Sequence, residues 1–83
     1  MAIFALEVYA RCRAAVVREL ARRLGSAAEE MAREGVEVRY VRSLHLPTDE
    51  ICFHIFEAES PAAVGDVSAR AGLGYERILE AAE

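Results

Sequence analysis

The stretch that decides the fold is V-R-Y-V-R-S-L-H-L-P-T-D-E-I-C-F-H-I-F-E-A, from Val38 to Ala58. Two apolar-rich runs, Val36 to Leu46 and Ile51 to Ala58, flank the polar break Pro47-Thr48-Asp49-Glu50. Runs of this kind parted by turn-forming residues predict two strands joined as a hairpin. Side chains alternate faces along a strand. A turn centred on 47–50 sets position 45 opposite 52 and 43 opposite 54. Ser43, His45, Cys52 and His54 then share one face, with opposed β-carbons roughly 4.5–5.5 Å apart. Both histidines of the chain and one of its two cysteines meet on that patch. Imidazole and thiolate are the donors that suit nickel, copper or zinc. The spacing H-x6-C-x-H is not a standard zinc pattern. The competing reading is packing, with hydrogen-bonded histidines and a cysteine serving as a small apolar side chain.

Working outward, Ile3 to Tyr9 reads as a strand with Phe4, Leu6 and Val8 on one face and Ile3, Ala5, Glu7 and Tyr9 on the other. From about Arg11 to Glu34 the residues are mostly strong helix formers. Val17, Leu20, Leu24, Ala28 and Met31 recur at helical spacing, while Arg18, Arg22, Arg23, Glu29, Glu30 and Arg33 fall on a solvated side. Ser26-x-x-Glu29 matches a capping box beside Gly25, which predicts a kink in one helix in preference to two helices. Gly35 supplies the stop. Ser60-Pro61 opens a second helix, with Val64, Val67, Ser68 and Ala71 inward. Gly72-Leu73-Gly74 ends it, and Tyr75 to Ala82 forms a last strand anchored by Ile78 and Leu79.

The order β-α-β-β-α-β predicts an α+β, ferredoxin-like domain over residues 1–83, with both helices on one face of a four-stranded antiparallel sheet. The cleanest apolar sets, Phe4/Leu6/Val8 and Ile51/Phe53/Ile55, are expected to face the helices. The opposite face then carries Glu7, Tyr9, Ser43, His45, Cys52, His54 and Phe56, mixed with Ile3, Ala5 and Val41. Such a face is too apolar to be left to water and marks an interaction surface. Two copies packed through it make a symmetric dimer enclosing those residues.

Composition bounds the partners. A chain of 83 residues has a small interior, yet 54% of it is hydrophobic, so part of that surface needs a partner. The net charge of −4 argues against a nucleic-acid binder, which shows a basic stripe. All ten basic residues are arginine, which we attribute to base composition rather than mechanism. The opening apolar run stops at Glu7, too short for a signal sequence or a membrane span. Cys12 and Cys52 lie far apart in sequence, which predicts free thiols and a reducing, cytoplasmic setting.

The blocks R-Y-V-R-S (39–43), P-x-D-E-x-C-F-H-x-F-E-A (47–58), R-A-G (70–72) and E-R-I-x-E-A (76–81) resemble a family of small actinobacterial nickel-binding proteins long catalogued as a domain of unknown function. The resemblance spans nearly the whole chain and is sharpest from Val38 onward. It implies a ferredoxin-like fold, homodimerisation and Ni2+ binding.

Three functions follow as expectations. The first is a cytoplasmic homodimer holding nickel, or zinc or copper, through His54, Cys52 and His45, with the Glu7 carboxylate either completing the shell or pairing instead with an arginine on the sheet. The alternative is a small dimeric enzyme or ligand-binding protein with an apolar molecule on the sheet face. Tyr9, Phe56 and Val41 would be its walls, and His54 and Glu7 an acid–base pair. The third is a structural or regulatory interaction module. The chain has no G-x-S-x-G, glycine-rich phosphate loop or H-E-x-x-H. Asp49 and Glu50 read as turn residues.

Overall fold

A computed structural model describes residues 1–9 and 14–82. Cys12, and with it the free-thiol expectation, lies outside the described residues. The elements are β1 (Ala2–Tyr9), α1 (Ala14–Arg33), β2 (Val38–Leu46), β3 (Ile51–Ala58), α2 (Pro61–Arg70) and β4 (Arg77–Ala81). The strands form one sheet in the order β2-β3-β1-β4, and every neighbouring pair is antiparallel. This is the ferredoxin-like α+β arrangement predicted from the hairpin outward.

Local chemistry explains where each element stops. Helix α1 runs unbroken through Gly25-Ser26 and ends at Gly35, whose φ of 94° lies in the left-handed region open to glycine. There the Gly35 amide bonds the Ala32 carbonyl at 3.1 Å and the Val36 amide bonds the Met31 carbonyl at 3.1 Å, closing the helix end. Helix α2 is capped by Ser60, whose hydroxyl accepts from the Ala63 amide at 3.2 Å, and proline occupies its first turn. The hairpin break is a single 3₁₀ turn, Pro47–Asp49, followed by Glu50 in the left-handed region. Arg70 ties the helices together through Glu30 at 3.0 Å and Glu34 at 2.6 Å.

The hairpin register is the predicted one: His45 stands opposite Cys52 and Ser43 opposite His54. The face assignment is corrected. β1 pairs with β3 so that Leu6 opposes His54, Phe4 opposes Phe56 and Val8 opposes Cys52. Cys52, His54, Phe56 and Ala58 are therefore buried beneath the helices with Phe4, Leu6 and Val8. Ile51, Phe53 and Ile55 lie on the open face instead. Strand alternation makes this an all-or-none choice, because moving one residue of β3 inward moves its whole set. The less apolar set goes inside because each member has a place there. Phe56 stacks edge-on against Tyr40 at 5.6 Å between ring centroids, and Cys52 and Ala58 are small. His54 finds a hydrogen bond there, its Nδ1 lying 2.6 Å from Ser43 Oγ.

Candidate functional site

The site grows from one irregularity in β2. Pairing with β3 slips between Tyr40 and Arg42, leaving Val41 as the extra residue of a bulge. In a regular strand, residues three apart point to opposite faces. Here the bulge reverses the alternation, so Tyr40 and Ser43 both lie on the helix side. They form a chain with His54: the Tyr40 hydroxyl lies 2.7 Å from Ser43 Oγ, and Ser43 Oγ lies 2.6 Å from His54 Nδ1. The sequence reading placed Ser43 with His54 but missed Tyr40. The only signal for it is the crowding of Val, Arg and Ser at 41–43, which does not by itself reveal a bulge.

His54 is fully buried, and burial pushes its pKa from 6.5 down to about 4. The imidazole is therefore neutral at pH 7. Among the described residues its buried Nε2 has no hydrogen-bond partner, and neither has the buried Nε2 of His45. Proton counting gives two arrangements for His54. If Ser43 donates to Nδ1, Nε2 is a stranded N–H. If Nδ1 donates to Ser43 Oγ, Nε2 presents a lone pair, and the Ser43–Tyr40 bond orients the ring from behind. The second arrangement is the one metal-bound histidines adopt.

Of the four expected ligands, the sheet brings three to one face and removes the fourth. His45, Cys52 and His54 lie on the helix side. Glu7 lies on the open side, opposite Phe53 of β3 and Arg77 of β4, where Arg77 Nε donates to its Oε1 at 2.5 Å. The Glu7 carboxylate, whose residue is only 6% exposed, holds the Arg77 guanidinium firmly in its charged form. A Glu7–His54 acid–base pair is excluded, because a sheet stands between the two side chains. Phe56 likewise cannot wall an open-face cavity. Among the described residues, no three His, Cys, Asp or Glu side chains converge closely enough to hold a metal ion as they stand.

The open face is different in kind. Val41, Leu44 and Leu46 are exposed, with Ile3, Ile51, Phe53 and Ile55 half-buried beside them. No helix of the described chain is long and apolar enough to cross a membrane.

Comparison with known proteins bears on the fold. No protein-family model matches the chain, and no curated protein matches it. One solved structure does. The crystal structure of SCO4226 from Streptomyces coelicolor A3(2) superposes with a TM-score of 0.80, covering 96% of this chain and 95% of that one. Sequence identity is 17%, so the likeness is one of fold.

Proposed function

We propose that this chain is a small cytoplasmic homodimer that binds nickel or a similar divalent metal, zinc or copper. The observation that carries the metal reading is the pair of buried Nε2 atoms of His45 and His54, on one face of the hairpin and without a hydrogen-bond partner among the described residues. A polar atom buried without a partner costs free energy, about 1–3 kcal/mol, and a metal ion repays it. Burial already keeps His54 in the neutral form a metal requires, with no proton to displace. His54 and His45 would hold the ion, with Cys52, opposite His45 and two residues from His54 along β3, as the thiolate donor. Side-chain movement is needed to bring the donors to one point. Glu7 takes no part, being committed to Arg77 across the sheet. When bound, the ion would serve as cargo or as a structural link between β2 and β3. Homodimerisation is supported by the apolar open face, which two copies would bury together.

Nickel titration followed by calorimetry tests the metal reading. Replacing His54 by Ala should weaken nickel at least tenfold, about 1.4 kcal/mol. His45→Ala should also weaken it, and Glu7→Gln should leave it unchanged. A second variant, His54→Gln, preserves more of the packing should Ala disturb the core. Unchanged nickel affinity in all the histidine variants would return the imidazoles to packing and end the metal reading. Sedimentation tests the dimer: a stable species of about 9.1 kDa at micromolar concentration overturns it.

A further inference from the structure

The open face holds a depression of about 360 Å3 that the metal reading does not use. All four strands contribute to it. Ile3, Leu44 and Ile55 form an apolar floor, and Arg39, Arg42 and Glu57 supply the charges around it. Arg39 is engaged by Glu57. Arg42 is not: among the described residues, no carboxylate lies within ion-pair distance of it. The depression thus combines an apolar floor with one uncompensated positive charge.

The bulge is what puts that charge there. Arg39 faces the open side, where it meets Glu57. Regular alternation from Arg39 would send Val41 to the open side and Arg42 beneath the helices. The extra residue instead leaves both Val41 and Arg42 lining the open-face depression. Bulges commonly re-aim a side chain in this way beside a functional site. The volume lies within the range of about 300–1,000 Å3 of small-molecule pockets, which are mostly apolar with a few placed polar groups. A guanidinium matches a carboxylate with two parallel N–H bonds.

We propose that this depression binds an apolar monocarboxylate of the medium-chain fatty-acid class, with its carboxylate on Arg42 and its chain across Ile3, Leu44 and Ile55. This site stands apart from the metal reading, and a second copy on the open face would enclose the bound chain.

Octanoate, below its micellar concentration, is the probe, titrated into the full chain by calorimetry alongside 1-octanol. Octanoate should bind saturably, one per chain, and at least tenfold more tightly than 1-octanol. Arg42→Gln should weaken octanoate at least tenfold and 1-octanol less than twofold. Arg39→Gln, whose guanidinium already has Glu57, should change octanoate less than threefold. Absent saturable binding, or octanoate affinity unchanged in Arg42→Gln, overturns the proposal. Sedimentation of the same samples separates it from the dimer reading. Arg42-dependent binding to a monomer upholds the pocket and removes the dimer, whereas a dimer that ignores octanoate does the reverse.

Discussion

The two faces of this one sheet carry opposite distributions of polarity. Beneath the helices, β3 buries Cys52, His54, Phe56 and Ala58. On the open side the same strand shows Ile51, Phe53 and Ile55, partly exposed. The more hydrophobic set is the one left outside. Hydrophobicity alone does not sort the faces of this strand. The inner face needs shapes that fit two helices and polar groups that find partners, and Ser43 and Tyr40 supply those for His54. The inner face is thus the core of the chain, and the outer face is a partly exposed apolar surface.

Truncating each face in turn should give the largest difference in stability. Leu6→Ala, at a fully buried site of the inner face, should cost about 2–5 kcal/mol by denaturant unfolding. Leu44→Ala, 48% exposed on the outer face, should cost under about 0.5 kcal/mol in the monomeric state. Leu44→Asp should abolish dimerisation while leaving the far-ultraviolet dichroism unchanged. A large unfolding cost for Leu44→Ala in a proven monomer would mean that the outer face is already a completed core.

The next effect belongs to His54 and to pH. Its folded pKa, about 4, lies below the ordinary 6.5, so the unfolded chain binds the extra proton between those values. The contribution of neutral His54 is fully present above about pH 6.5 and is lost as pH falls toward 4, where the deficit reaches roughly 3 kcal/mol. Urea unfolding at pH 7, 5.5 and 4 should show this loss in the native chain and a shallower one in His54→Gln. Parallel pH profiles for the two would mean that the imidazole is hydrated in the folded state.

The smallest effect lies at the margin of the inner face. A β-carbon added at Gly25 would sit 3.6 Å from the Tyr40 ring, an ordinary contact, in the middle of α1. Gly25→Ala should therefore raise stability by up to about 1 kcal/mol, the usual helix-interior difference between the two residues. A loss of stability would show that the Tyr40–Ser43–His54 chain depends on open space beside the Tyr40 ring.

The element order and the hairpin register were legible in the sequence. The break at 47–50 stands between two apolar runs, and period-2 alternation then forces 45 opposite 52 and 43 opposite 54. Ser60-Pro61 and Gly35 marked helix ends because capping chemistry is local, written within a few residues of the place where it acts. The grouping of His45, Cys52 and His54 was likewise legible, since it needs nothing beyond one hairpin. Which way that group points was not, because the choice rests on β1 and both helices, elements distant in sequence. Glu7 reads from the sequence either as a ligand or as the partner of an arginine on the sheet, and only the docking of distant strands chooses the second. Its partner, Arg77, lies at the other end of the chain and becomes a neighbour only when β4 docks beside β1. The bulge at Val41 was decided by tertiary structure too. No turn residue announces it, yet it turns Tyr40 toward His54 and Arg42 toward the open face. Local chemistry wrote the elements, and the packing of distant elements decided which chemistry each face received.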